Sequence, residues 1–361
     1  MSAALFRLPQ DDDVATARSH VDGVMQRLPL LTLYLSERCN SRCITCDYWR
    51  HGRADMSLDA VERLLPAMAR LDTRAVLVSG GEPLLNPQWA DIARLLRAHG
   101  LKLWLLTSGL SLAKHAQRVA EMFDTVTVSL DGTNGTTYAA IRGLDAFDNV
   151  CAGIDAAVGA GSVVTLRVTL QRDNYRELPE FIALARARGV HQISFLPVDV
   201  ANPHAFARRE AAPPELALRR EDLAELGRLL GHLERVHAEE FRRAFIAESP
   251  QKMRRILQYF TAVCRLGPFP PVRCNAPEFS AVMTATGALQ PCFFIAGVPA
   301  EAEPPELDAA LNGARLRALR GQIRAGERPE CHTCVCSMWR DPASLGTPLT
   351  MLPQLAPRSR A

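Results

Sequence analysis

Three cysteines, Cys39, Cys43 and Cys46, stand within eight residues in the segment SERCNSRCITCDYW. Thiolates so spaced can grip one soft metal centre. Zinc takes four ligands, usually as closely spaced pairs; this loop offers three, and His51 is the only histidine nearby. A [4Fe–4S] cube also needs four ligands. Three thiolates leave one iron open, and an open iron can bind a reactant. The loop therefore reads as a site of chemistry.

A second set lies near the other end: Cys274, Cys292, Cys331, Cys334 and Cys336. The strand-like Ala281–Thr284 and the turn Ala285-Thr286-Gly287 predict a hairpin that brings Cys274 and Cys292 together. Cys331-x2-Cys334 adds two more thiols from a loop. Spacing alone leaves a structural four-cysteine zinc site open here. Cys151 and Cys264 read as ordinary buried thiols.

The elements that must position these residues alternate. Strand-length apolar runs fall at Leu30–Ser36, Ala75–Ser79, Leu101–Thr107, Thr125–Leu130, Val163–Leu170 and Gln192–Pro197. Amphipathic stretches between them, Ser57–Arg70, Pro87–His99, Ser111–Glu121, Ala146–Gly159 and Tyr175–Arg188, predict helical crossovers. Six such alternations imply parallel strands in an α/β fold that curls into a partial (β/α)6 TIM-like barrel. The unusual residues follow the C-terminal ends of these strands. They are the cysteine loop, Gly80-Gly81-Glu82-Pro83, Ser108-Gly109, Asp131-Gly132, Gln171 to Asn174, and Val198-Asp199. In a parallel barrel these loops share one rim, where active sites form.

Beyond the barrel, Glu215–Glu240 reads as one long helix, and Ser249-Pro250 as the capped start of another ending near Val263. Gly267-Pro268-Phe269-Pro270-Pro271 marks a boundary. The expected organisation is a lead-in over 1–28, the barrel over 29–240, a helical linker over 241–266, a small cysteine-rich domain over 267–340 and a tail over 341–361. His204, Arg208 and Arg209 lie on the long loop after the sixth strand. Their setting favours solvated loop charge over contact with an anionic substrate.

Over 361 residues, 48% hydrophobic and 22% charged content are ordinary globular values. The net charge of +3 comes from dispersed arginines, with three lysines in the chain, which argues against a nucleic-acid surface. No apolar run approaches the roughly 18 residues of a membrane span, and no secretion signal stands at the start. Ten cysteines in such a chain point to metal binding in a reducing cytoplasm.

The loop, Ser79-Gly80-Gly81-Glu82-Pro83 and Ser129-Leu130-Asp131-Gly132 together resemble the radical S-adenosylmethionine (radical SAM) superfamily over roughly residues 28 to 240. The resemblance implies that Cys39, Cys43 and Cys46 ligate a [4Fe–4S] cluster whose open iron holds SAM. Gly80, Gly81 and Glu82 would then lie by the methionyl amine, and Ser108, Ser129 and Asp131 by the rest of the cofactor. Thr45 departs from the family, where an aromatic residue often stands near adenine; Tyr48 and Trp49 are the substitutes at hand. The segment Tyr138-Ala-Ala-Ile-Arg142-Gly143 is similar to one in the family's SPASM-type members; its plainer reading is a glycine-capped helix end.

The second cysteine set resembles the SPASM/twitch extensions, which implies one auxiliary [4Fe–4S] cluster on Cys274, Cys292, Cys331 and Cys334, with Cys336 as a possible replacement ligand. The implied activity is reductive SAM cleavage to a 5′-deoxyadenosyl radical and hydrogen abstraction from a small molecule, of sugar or amino-sugar type, or from a peptide. No long segment precedes the barrel to recognise a peptide, which favours the small molecule. An electron donor such as flavodoxin or ferredoxin is implied, with neither nucleic acid nor membrane as partner. The contrasting expectation is a non-catalytic zinc scaffold.

Overall fold

The computed structural model describes residues 23–300 and 306–340. The expected tail over 341–361 lies outside the described residues, as does most of the lead-in. Six parallel strands follow in chain order: β1 (Leu30–Ser36), β2 (Ala75–Gly80), β3 (Lys102–Thr107), β4 (Thr125–Ser129), β5 (Val164–Leu170) and β6 (Gln192–Pro197). Each pairs with the next. On the other side of β1 lie β7 (Ser280–Met283), parallel to it, and β8 (Leu289–Gln290), antiparallel to β7. The sheet order is β6-β5-β4-β3-β2-β1-β7-β8. This is the expected α/β fold, a partial barrel whose last two strands come from the cysteine-rich segment.

Helices cover the sheet's outer face: α1 (Leu58–Glu62), α2 (Leu65–Arg70), α3 (Trp89–Ala98), α4 (Leu112–Met122), α5 (Gly135–Arg142), α6 (Phe147–Gly159) and α7 (Leu178–Ala187). Alternate strand residues such as Leu31, Leu33, Val76, Val78, Leu103 and Leu105 face them and form the main core. The intervening residues Leu30, Ala75, Leu77 and Trp104 form a second, smaller core with Leu106 and Phe293 on the inner face. Strands buried on both faces read as continuous apolar runs, which is why they were visible in the sequence.

Two helix expectations need correction. Ser57–Arg70 is split, because Pro66 cannot donate the backbone hydrogen bond a continuous helix needs there. Glu215–Glu240 is not one helix. Two 3₁₀ turns, Pro214–Leu216 and Arg220–Asp222, precede α8 (Leu223–Val236), and a short helix, Ala238–Arg242, follows. Asp222 stops the helix from starting earlier: its carboxylate accepts from the Arg219 N–H at 3.0 Å and from the Tyr175 hydroxyl at 2.9 Å. The next helix, α9 (Pro250–Val263), begins as expected, with the Ser249 hydroxyl accepting from Lys252 N–H and proline in the first turn.

Candidate cofactor site

The first cysteine loop leaves β1 at Ser36, where the register with β2 shifts. Its stem is bolted to the glycine turn after β2. Gly81 N–H donates to Ser36 O and Glu82 N–H to Arg38 O, both at 2.7 Å. This approach demands glycine. Gly80 has φ of 132°, and a Cβ there would stand 2.3 Å from Ser36 O; one on Gly81 would stand 2.4 Å from Arg38 O.

Glu82 turns inward and is fully buried. Its carboxylate accepts from Thr107 Oγ1 at 2.9 Å, Ser108 N–H and Ser108 Oγ at 2.7 Å each, and Leu84 N–H at 3.1 Å. Burial nonetheless raises its pKa, against the lowering effect of these donors. Ser108 Oγ also lies 3.1 Å from Asn40 Oδ1, inside the cysteine loop, so its one proton serves either acceptor. Asn40 Nδ2 donates to Ser111 Oγ at 3.2 Å. Asn40 went unremarked in the sequence, although its place between the first two cysteines was a signal.

The far side of the loop rests on the end of α5. Arg42 N–H donates to Arg142 O and Ile44 N–H to Ile141 O, both at 3.0 Å. Gly143 is the left-handed glycine cap expected there, with φ of 73°. Arg142 is buried, and its Nη1 is 3.0 Å from Asp131 Oδ2, while Asp131 Oδ1 accepts from Thr169 N–H at 2.7 Å. Ser129 sits half-buried at the end of β4.

The three thiols are partly exposed. Burial pushes Cys39 up to about 11 and Cys46 up to about 12, and the neighbouring Cys43 charge raises both further. Cys39 and Cys46 thus both lie within electrostatic reach of Cys43. Three soft donors, two of them desolvated so that they resist carrying negative charge alone, suit a cationic iron centre, so the donor set fits an iron–sulfur cluster. Among the described residues no three Cys, His, Asp or Glu side chains converge on a single ion; thiolates on a cube each take their own iron.

The second set gathers around Cys274, which lies within electrostatic reach of Cys292, Cys331, Cys334 and Cys336. Burial pushes Cys292 up to about 12 and raises Cys274, Cys331 and Cys334. Hydrogen bonds from Asn275 to Met338 O and Arg340 O close the loop over Cys274. The expected hairpin is β7–β8. Cys264 is partly exposed and Cys151 buried. Tyr34 stands between the two sets, within reach of Cys46 and of Cys292. It meets Tyr48 edge-on at 5.7 Å and stacks on Phe293 at 6.5 Å. Trp49 folds back, its Nε1 3.4 Å from Cys43 O.

Arg208 corrects the expectation of solvated loop charge. It is buried, with Nη1 donating to Asp199 O at 2.8 Å and Nη2 to Asn202 O at 2.7 Å. Burial lowers its pKa and raises that of Asp199. His204 and Arg209 are exposed as expected. The loop that Arg208 staples joins both cysteine sets: Phe206 O accepts from Asp47 N–H at 3.0 Å, and Asn202 Nδ2 donates to Phe294 O at 2.7 Å.

Residues 33–185 match the model of the Radical SAM superfamily. Over that stretch the chain is similar to the radical SAM domain. A [4Fe–4S] cluster and SAM are the cofactors of that superfamily. GTP 3′,8-cyclase of Klebsiella pneumoniae (strain 342) is 31% identical over 186 residues, 48% of this chain and 56% of that protein. The chain thus spans about half the length of the curated relatives it matches. Among solved structures, Streptococcus suis SuiB bound to S-adenosylmethionine aligns with a TM-score of 0.64 at 15% identity, covering 87% of this chain and 73% of that one. The structure of anSMEcpe with bound AdoMet aligns at 0.62 and 15%, covering 85% and 89%. At such identities the likeness is one of fold. No helix among the described residues is long and apolar enough to cross a membrane.

Proposed function

We propose that this protein cleaves SAM reductively at a [4Fe–4S] cluster held by Cys39, Cys43 and Cys46, and that the resulting 5′-deoxyadenosyl radical takes hydrogen from a bound substrate. The observation that carries the reading is the pair of backbone hydrogen bonds from Gly81 and Glu82 to the stem of the cysteine loop. They make the ligand loop and the glycine turn one rigid unit on the C-terminal rim. The groups themselves supply the electron transfer and the radical; the chain supplies position and shelter from water.

Glu82, Ser108 and Asp131 have their polar atoms engaged within the protein, so they hold the rim in shape. Gly80, Gly81 and Ser129 are left as the residues that face the cofactor. Cys274, Cys292, Cys331 and Cys334, with Cys336 beside them, hold one auxiliary [4Fe–4S] cluster. Substrate, a small metabolite of sugar or amino-sugar type or a peptide, binds between the two cysteine sets near Tyr34. A flavodoxin- or ferredoxin-like donor supplies electrons in a reducing cytoplasm.

Anaerobic reconstitution, followed by incubation with SAM and a strong reductant, tests the proposal. It predicts 5′-deoxyadenosine and about eight iron and eight sulfide per chain, four for each cube. Replacing Cys39, Cys43 and Cys46 with Ala should abolish cleavage and keep about half the iron. A colourless protein with zinc and no sulfide would instead establish the scaffold reading.

A further inference from the structure

Helix α5 ends against the cysteine loop in an unusual way. The last carbonyls of a helix normally go to water or to a cap. Here Ile141 O and Arg142 O accept the N–H groups of Ile44 and Arg42, the two residues that flank Cys43. Ser41 Oγ lies 3.4 Å from the same Arg142 carbonyl. Gly143 completes the seat: a Cβ there would stand 2.3 Å from Arg42 O.

The Arg142 side chain is buried behind this seat. Its Nη1 pairs with Asp131, which is itself fixed through Thr169 N–H and through its own carbonyl, an acceptor for Asn174 Nδ2 at 3.0 Å. Arg142 Nε is buried with no hydrogen-bond partner. An isolated buried ion pair adds little net stability, since desolvating two charges offsets their attraction. The placement of this pair points elsewhere. Cys39 and Cys46 both feel the positive charge of Arg142, which in turn feels Cys43 and Asp131. Arg142 thus touches the cysteine loop through its carbonyl, beside Cys43, and Asp131 through its guanidinium.

We propose that Arg142, backed by Asp131, is a positioning residue that seats the cysteine loop through its carbonyl and raises the reduction potential of the cluster through its fixed buried charge. This rests on reading that loop as the cluster site. The reduced cluster carries one more negative charge than the oxidised one. A cation held in a low-dielectric setting stabilises that extra charge more than the same cation in water would. SAM cleavage needs an electron from the reduced form, so the charge eases the step that loads it.

The test uses the full chain, reconstituted as wild type, Arg142→Gln, Arg142→Lys and Asp131→Asn. Iron and sulfide are counted, and the midpoint potential of the cluster whose EPR signal responds to SAM is found by redox titration. Arg142→Gln should lower the reduction equilibrium at least tenfold, which is 59 mV for a one-electron couple. Arg142→Lys should restore most of that loss, and Asp131→Asn, which unmasks the cation, should move the potential upward. Equal potentials in wild type and the glutamine variant would overturn the proposal. Should the glutamine variant take up no cluster, a flat or falling potential in Asp131→Asn would overturn it instead. A wild-type protein with no SAM-responsive cluster would strike at the function reading itself, a result no Arg142 variant can produce.

Discussion

Glu82 shows how a residue type can be legible while its job is not. The Gly-Gly-Glu-Pro turn suggested a carboxylate facing a ligand, yet that carboxylate is held by donors of the protein itself. Thr107 Oγ1, Ser108 N–H, Ser108 Oγ and Leu84 N–H all donate to it. An amide nitrogen cannot accept, so Glu82→Gln must leave at least one buried donor unsatisfied. We expect a loss of about 1–3 kcal/mol in urea unfolding. Burial raises the folded pKa above the ordinary 4.5. The folded state therefore binds more protons than the unfolded one over that range, and the contribution of Glu82 falls as pH rises from 4.5 through the folded pKa. The glutamine variant should lack that decline. A wild-type stability that rises over the same window relative to the variant would refute the assignment. The cysteines were legible because soft ligands at close spacing have few other uses. Arg208 was misread, since a loop sequence gives no sign that the chain will fold over its guanidinium and bury it.

At the scale of elements, the strands were read nearly to the residue, and the seat of the cysteine loop was not. Continuous apolar runs identify parallel strands locally. The hydrogen bonds from Arg42 and Ile44 to the end of α5 join segments about a hundred residues apart, and no local pattern announces them. Gly143 looked like a routine cap, and it is one, but its missing Cβ also admits Arg42. Gly143→Ala should therefore do more than strain a left-handed residue, which alone costs about 1 kcal/mol. Its methyl group would push the loop off its seat. The expected result is a lower melting temperature together with loss of up to half the iron, and the deficit should fall on the SAM-responsive cluster. An alanine variant with lowered stability and full iron would show that the cap matters and the seat does not. The misread helix over Glu215–Glu240 has the same origin: Tyr175, far back in the chain, fixes Asp222 where propensity would have continued a helix.

Across the whole molecule, the two ends of the described chain are tied to each other. Met25 N–H donates to Asn312 Oδ1 at 2.7 Å, Asn312 Nδ2 returns a bond to Met25 O, and Arg320 Nε donates to Gly23 O at 2.8 Å. Strand β7 lies beside β1, which feeds the first cysteine loop, so the second cysteine set is built onto the sheet that carries the first. The boundary expected near Gly267 marks a change of composition, yet the sheet runs through it. What holds the last cysteines in place is a small clamp. Asn275, next to Cys274, donates through Nδ2 to Arg340 O at 2.7 Å and accepts from Arg340 N–H at 2.9 Å. Both Arg340 groups are buried, so Asn275→Ala removes two buried hydrogen bonds, each worth about 0.5–1.5 kcal/mol. The loop with Cys331, Cys334 and Cys336 would then lose its hold on Cys274. Iron should drop from about eight to about four per chain, with the SAM-responsive signal retained. Asn275→Asp keeps the acceptor for Arg340 N–H but loses the donor, and should fall between the two. If Asn275→Ala keeps all its iron, the cluster and not the clamp organises this loop, and the order of assembly runs from metal to protein.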